Sequence, residues 1–165
     1  MKTKPVSDRM YSLVVLYDMH TDFYGSVLEG ISDEDAHKRL DTKANHVAWL
    51  AGSLVQERVE LFNGLWTGDK QESNELFRDH KGIQDNVMYP SLTEFKKDWK
   101  HISPLLREAL MTVTDEKLDS KIEMMPGETM SYFDLITFMM YREANCIGQV
   151  ALWRRLLGYE AMKYM

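Results

Sequence analysis

The chain has 165 residues, of which 44% are hydrophobic and 28% are charged, and its formal net charge is -6. A chain of this length buries roughly two-thirds of the surface that its unfolded form exposes, so we predict one domain over residues 1–165 with a substantial core. The composition excludes a disordered or low-complexity protein. Because acidic residues outnumber interspersed basic ones, the surface has no basic field, and nucleic acid is not an expected partner.

The start of the chain does not have the pattern of a secretory signal. Pro5, Asp8 and Arg9 precede its first apolar run, and that run, residues 13–16, is too short for a signal core. Nothing in the sequence approaches the ~20 consecutive apolar residues that span a bilayer. The single cysteine, Cys146, excludes an intramolecular disulfide and agrees with a reducing compartment. These features predict a cytoplasmic protein with no membrane partner.

The first third of the chain is dominated by apolar residues at every third or fourth position. Over residues 7–29 this spacing predicts helix one, which Gly30 ends. The following segment, SDEDAHKRL, begins with Ser32 and has acidic residues in its first turn, as is typical of a short helix. A second long helix is predicted over residues 43–65.

The apolar stripe of helix two contains one charged residue, Arg58. The other members of the stripe are Val47, Leu50, Ala51, Leu54, Val55, Leu61 and Phe62. The opposite face contains Gln56, Glu57 and Glu60, and we expect water to cover it.

A long polar crossover is predicted over residues 69–90, with at most one short helix at SNELFRDH. Ser91 and Glu94 then form the capping-box pattern that begins helix three. Pro104 lies inside this helix and has no N–H to donate. It therefore predicts either a kink or a new helix start that Ser103 caps.

The fourth long helix is predicted from Ser131 to Leu157, and Gly158 ends it. It is apolar nearly all round, which is typical of a central helix or of one packed against a second chain. We therefore expect a homodimer whose apolar contact includes this helix or helix one. A weak extended segment, SKIEMM, precedes the helix. Four long helices without a competing strand pattern predict an all-α fold, a four-helix bundle with a long crossover between helices two and three.

Two segments carry a family resemblance: NHVAWLAGSLVQER on helix two and REANCIGQVALWRRLLG on helix four. They resemble the DinB-like superfamily, which includes the bacillithiol- and mycothiol-dependent transferases. The strongest part is Gly148 and Gln149, followed by an apolar stretch, two arginines and a Leu-Gly pair. The resemblance extends in helix order across nearly the whole chain, and it implies an up-down four-helix bundle and a homodimer.

The resemblance also implies where a metal site would lie. The family holds a divalent metal with three histidines, and the matching positions here are Ser53, Arg142 and Cys146. None is histidine, although Glu143 stands where the family commonly has a glutamate. A guanidinium cannot coordinate a cation and repels it, so we expect a degenerate site without a metal cofactor. Arg142 then replaces the ion and forms a salt bridge with Glu143, with Glu57 or with an acid on helix one.

Three functions are consistent with this pattern, and it leaves open whether the chain is an enzyme. In the first, a pocket at the former metal position, formed by Ser53, Arg142, Cys146, Glu143 and His46, binds a small molecule. An anion is the expected ligand, because a buried guanidinium forms strong hydrogen bonds with a carboxylate or phosphate. The second is a metal- or thiol-dependent transferase-type enzyme in which His46 or His20 supplies substitute ligands. The third is a structural or interaction protein without such a pocket.

Cys146, His46 and His20 can each be interpreted in two ways. Cys146 lies one turn from Arg142, which would favour a reactive thiolate, but a lone buried cysteine more often acts as a small hydrophobic residue. His46 is near the start of helix two, so it is either a cap or a pocket residue. His20 interrupts the apolar stripe of helix one and is either a hydrogen-bonded core histidine or a ligand.

Overall fold

The computed structural model describes residues 4–164, which are mostly helical; the ends of the predicted domain, residues 1–3 and 165, lie outside the described part. The helices are α1 (Tyr11–Leu28), α2 (Asp33–Ala36), α3 (Val47–Leu65), α4 (Leu92–Thr112), α5 (Asp115–Asp119) and α6 (Tyr132–Leu156). The strands are β1 (Lys121–Met125) and β2 (Glu128–Ser131), and short 3₁₀ turns occur at Asp8–Met10 and Arg78–His80. The all-α prediction is confirmed in outline, with a small two-stranded sheet added.

Side-chain caps fix the beginnings of the helices. The predicted cap of α2 is confirmed, because Ser32 accepts a hydrogen bond from the backbone N–H of Asp35. The capping box of α4 is also confirmed at Ser91 and Glu94. The long helix predicted from residue 43 begins four residues later, at Val47, because the residue before it is the cap.

Pro104 does not start a new helix, and α4 continues through it to Thr112. The proline removes one backbone donor but leaves the turn helical. Packing against α1 supports the segment, since the Tyr17 hydroxyl donates to the Ser103 carbonyl at 2.8 Å. The Ser103 hydroxyl in turn donates to the Trp99 carbonyl at 2.5 Å. The alternative of a new start capped by Ser103 is therefore wrong.

The SKIEMM segment is extended, as predicted, and forms β1. It pairs antiparallel with β2, which the sequence pattern did not indicate, and Gly127 occupies the turn between them with φ of +82°. A backbone with φ in this range favours glycine, which has no Cβ to clash. Ser131 caps α6 immediately after β2, and Gly158 follows the helix with φ of +88°, so both ends of the predicted fourth helix are confirmed.

Each of the four long helices packs against two others: α3 against α4 and α6, and α1 against α6 and α4. The buried apolar residues form two clusters, one near each end of these helices. Tyr24, Leu54 and Ile147 belong to the first cluster, and Leu106 and Ile136 belong to the second. No helix within residues 4–164 combines the length and the apolar character that a membrane span needs.

Candidate functional site

A fully buried ion pair lies between the two apolar clusters. Arg58 of α3 and Glu143 of α6 are both 0% exposed. The guanidinium binds the carboxylate with two hydrogen bonds, Nε to Oε1 at 2.6 Å and Nη2 to Oε2 at 2.9 Å. Its Nη1 donates to the hydroxyls of Thr21 and Ser103, each at 2.8 Å. The pair is therefore bidentate, and each of the three guanidinium nitrogens has a hydrogen-bond partner, as a buried charge requires.

Aromatic rings cover both faces of the Arg58 guanidinium. Its central carbon lies 3.9 Å from the centre of the Tyr17 ring and 3.5 Å from that of Trp99. Tyr24 stacks on the other face of Trp99, with ring centres 4.0 Å apart. A desolvated cation between two rings gains favourable cation–π energy, so this environment suits arginine rather than lysine.

Glu143 is ionised in this setting. Burial alone would raise the pKa of its carboxyl, but the charge and hydrogen bonds of Arg58, together with the hydrogen bond to His20, lower the pKa overall. The Nδ1 atom of His20 lies 3.1 Å from Glu143 Oε2, which confirms the interpretation of His20 as a hydrogen-bonded core histidine. We call Arg58, Glu143, His20, Thr21 and Ser103 the polar layer.

A second ion pair joins the same two helices one residue away. Arg142 contacts Glu57 of α3. The sequence suggested three possible partners for Arg142, and this glutamate is the one that the structure shows. Arg142 Nη2 also donates to Ser53 Oγ at 3.1 Å. The sequence order of the charges is thus inverted between the helices: Glu57 and Arg58 on α3 face Arg142 and Glu143 on α6.

The second pair lines a cavity of about 520 Å³ between α3 and α6, which β1 and the crossover help to enclose. Apolar groups make up most of the cavity surface, and its polar or charged lining residues are Ser53, Gln56, Glu57, Glu60, His80, Lys81, Glu123 and Arg142. Its apolar lining comes from Trp49, Leu61, Phe77, Ile122, Met124, Tyr132, Leu135, Phe138 and Met139. This volume and lining are typical of small-molecule sites.

The face of α3 that we expected to be solvated is only partly so. Gln56 is 4% exposed and Glu57 is mostly buried, whereas Glu60 is exposed as predicted. All three line the cavity. The prediction of a solvated face was wrong for Gln56 and Glu57, because α6 and the crossover cover this face of α3. The periodicity of α3 does not show that these two elements pack against it.

The structure brings two of the five predicted pocket residues together at the cavity, Ser53 and Arg142. Glu143 belongs instead to the polar layer, where its side chain is 0% exposed, and it is not among the residues that line the cavity. Cys146 is packed in the apolar core, and neither it nor His46 is among the cavity residues.

Cys146 does not have the properties of a reactive thiolate. Burial raises the pKa of its thiol, and the nearby positive charge of Arg142 lowers it by less. A thiol with a raised pKa is protonated at neutral pH and is a poor nucleophile. The structure therefore favours the interpretation of Cys146 as a small hydrophobic residue.

His46 is the cap of α3. Its Nδ1 accepts a hydrogen bond from the Trp49 backbone N–H at 3.0 Å, which confirms the capping interpretation. Burial, with the charges of His37 and Arg39, lowers the pKa of His46 to about 4, so the ring is neutral and its Nδ1 can accept. Among residues 4–164, no group of three or more histidine, cysteine, aspartate or glutamate side chains could hold a metal ion.

The sequence contains a signal for the polar layer. Arg58 lies at a core position of an apolar stripe, where a charge requires a buried counter-ion. The resemblance stated from the sequence had already drawn attention to Glu143. The inverted order, Glu-Arg on one helix and Arg-Glu on another, points to both pairings once the two helices are known to be neighbours.

Comparisons with known proteins give no match: no family model matches the chain, and no curated protein is significantly similar to it. The ion pair of the polar layer is fully buried, whereas the cavity between α3 and α6 is accessible to a ligand.

Proposed function

We propose that this protein is a non-catalytic, DinB-like four-helix bundle with a degenerate metal site, and that it binds a small amphipathic molecule in the cavity between α3 and α6. The ring of contacts among the four long helices supports an up-down bundle. The presence of Ser53 and Arg142 at the cavity supports a pocket at the family's metal position. The cytoplasmic location expected from the sequence belongs to the same proposal.

One observation carries the proposal: the ion pair of Glu57 and Arg142 stands at a largely apolar cavity of about 520 Å³. The apolar walls, such as Leu61, Leu135 and Met139, exclude water from the body of a ligand. Each 100 Å² of apolar surface buried there contributes roughly 2.5 kcal/mol before the costs of association. The charged groups orient the polar end of the ligand.

Binding of the uncharged fluorescent probe N-phenyl-naphthylamine tests the proposal. We expect Leu135→Trp, which fills part of the cavity, to weaken probe binding by about tenfold, or ~1.4 kcal/mol, in a fluorescence titration. The control is Met88→Trp, which adds the same ring at a fully exposed position of the crossover outside the cavity. Equal affinity for both variants and the original protein would show that the probe binds elsewhere, and the proposal would fail.

The ligand expected from the sequence was an anion, and that expectation remains the competing proposal. A buried guanidinium binds carboxylates and phosphates well. Glu57 already supplies a carboxylate to Arg142, however, so an anionic ligand has to displace it. Isothermal titration with octanoate and with octanamide, which differ only in head group, separates the two cases: tighter binding of octanoate favours the anion.

The homodimer expected from the sequence is a second proposal. Helices α1 and α6 pack against each other and expose large apolar side chains, each 40–65% accessible. These are Tyr11, Val15, Leu16 and Met19 on α1, and Phe138, Tyr141, Leu152 and Leu156 on α6. Exposed apolar side chains at this density on two adjacent helices are typical of a protein–protein interface.

Light scattering after size exclusion measures the oligomeric state. We expect twice the monomer mass for the original protein and a shift to the monomer for Met19→Glu and Leu152→Glu, which each introduce a charge on this surface. Glu160→Lys changes charge at an exposed position beyond α6 and is the control. A monomeric original protein at micromolar concentration contradicts the dimer.

A further inference from the structure

One wall of the cavity comes from the long crossover between α3 and α4. His80 and Lys81 of this wall line the cavity, and they belong to residues 78–82, which we call the flap. Resting on the proposed function, we propose that the flap closes over a bound ligand and sets the rate at which the ligand leaves. The inference depends on how the flap is anchored, on its hydrogen bonds and on its backbone conformation.

Apolar side chains anchor the chain on both sides of the flap. Phe77, which is 5% exposed, precedes the flap, and its ring lies against Gly52 of α3 and near the ring of Phe95. Ile83 follows the flap and packs against the first apolar cluster. All five residues of the flap itself are exposed. A loop held in this way can move its middle while its two ends stay in place.

The flap makes hydrogen bonds only within the crossover. The Arg78 backbone N–H donates to the Asn74 carbonyl at 3.1 Å, and Lys81 Nζ donates to the Glu75 carbonyl at 3.1 Å. Among residues 4–164, no hydrogen bond joins the flap to α3, α6 or β1, which form the other walls of the cavity. Movement of the flap therefore breaks no bond that holds the helices together, and it costs far less free energy than unfolding does.

Two consecutive residues of the flap have left-handed backbone conformations. The φ angles of Asp79 and His80 are +58° and +57°, a region that residues with a Cβ adopt at a cost in free energy. The cost works against the closed flap, whereas contacts of a ligand with His80 and Lys81 work for it. A filled cavity thus shifts the flap towards its closed state. Crossovers as long as residues 66–91 that contain so little regular structure are commonly functional lids.

Substitutions of Asp79 test the inference, because this residue belongs to the flap but does not line the cavity. Proline cannot adopt a φ of +58°, so Asp79→Pro excludes the closed backbone, whereas Asp79→Gly permits it. In a stopped-flow competition experiment we expect N-phenyl-naphthylamine to leave Asp79→Pro about tenfold faster than the original protein. Its release from Asp79→Gly should stay within about twofold of the original rate.

Asp41→Pro is the matched control. Asp41 is exposed in the loop before α3, has a φ of +57° and lies outside the cavity lining, so we expect it to leave the release rate unchanged. If Asp79→Pro releases the probe no faster than the original protein, or if Asp41→Pro speeds release equally, the flap inference is wrong and the cavity function stands. If the original protein does not bind the probe, the proposed function itself fails.

Limited proteolysis of the original protein gives a second readout that needs no substitution. Trypsin cleaves after Arg78 and Lys81 of the flap, and after Lys43, which is exposed and lies outside the cavity lining. Cleavage follows the population of the open segment, so the probe at about ten times its Kd should slow cleavage in the flap about tenfold and leave cleavage at Lys43 unchanged. Flap cleavage that the bound probe does not slow would overturn the inference.

Discussion

Replacing Glu143 by glutamine lowers the free energy of unfolding by about 3–5 kcal/mol. The change leaves the guanidinium of Arg58 fully buried without a counter-ion, between the rings of Tyr17 and Trp99. The cost of an unpaired buried charge is larger than that of most single substitutions. Denaturation in urea, followed by circular dichroism, measures the change.

Two comparisons separate this effect from a general sensitivity to charge. Asp18→Asn breaks the bidentate pair of Asp18 and Arg107, whose side chains are 43% and 39% exposed, and we expect a loss below about 1 kcal/mol. The double variant Arg58→Met with Glu143→Met removes both charges, so it should lose less than the sum of its two single variants. A loss for Glu143→Gln as small as that for Asp18→Asn contradicts the role of the buried pair.

The same carboxylate makes stability depend on acid. The pKa of Glu143 is lower in the folded protein than the ordinary value of about 4.3 for an unfolded chain. Between these two pKa values the unfolded chain binds more protons, so the stabilisation present at neutral pH is lost as the pH falls below about 4. Glu143→Gln lacks this titration, and we expect its free energy of unfolding to change less over the acid range.

Gly52→Ala lowers the free energy of unfolding by about 1–3 kcal/mol, although alanine is the better helix former. A Cβ at this position in α3 would lie 2.3 Å from Cζ of Phe77 and 2.6 Å from Cε1 and Cζ of Phe95. Both rings are buried, so they can move only by disturbing their own packing. Phe77 belongs to the crossover, and the substitution therefore acts on the contact between the crossover and α3.

Gly25→Ala is the matched control and should have the opposite sign. Gly25 is an exposed position inside α1, and a Cβ there would meet nothing within 4 Å. We expect the free energy of unfolding to rise by about 0.5–1 kcal/mol, because alanine restricts the unfolded chain and favours the helix. Thermal and urea denaturation of the two variants side by side give the comparison. A stabilised Gly52→Ala would contradict the close packing of α3 against the crossover.

Local signals predicted the long helices because each signal involves neighbouring residues only. The capping box at Ser91 and Glu94 and the glycine after α6 act within one turn, so the sequence contains them directly. Strand β2 has no such signal, because its pairing with β1 depends on residues on the two sides of the turn at Gly127 and not on neighbours within one strand. The end of one helix is thus easier to predict than the partner of one strand.

The candidate site was predictable only in part. The positions of Ser53 and Arg142 followed from the resemblance, and the structure places both at the cavity. The sequence did not identify the ion-pair partner of Arg142. Both Glu57 and Glu143 were candidates, because the sequence does not show which face of α6 lies against α3. The burial of Gln56 could not be predicted either. Its side chain is polar, and the elements that bury it are distant along the chain.

The inverted charges of Glu57-Arg58 and Arg142-Glu143 determine how α3 and α6 align along their axes. A slip of one helix by a single turn would move it about 5.4 Å and separate both ion pairs at once. Apolar contacts are not directional, so leucine, valine and methionine on the surrounding faces discriminate less sharply against such a slip than the ion pairs do. The charged residues therefore distinguish one alignment of the two helices from its near neighbours, and they hold the two walls of the cavity at a single spacing.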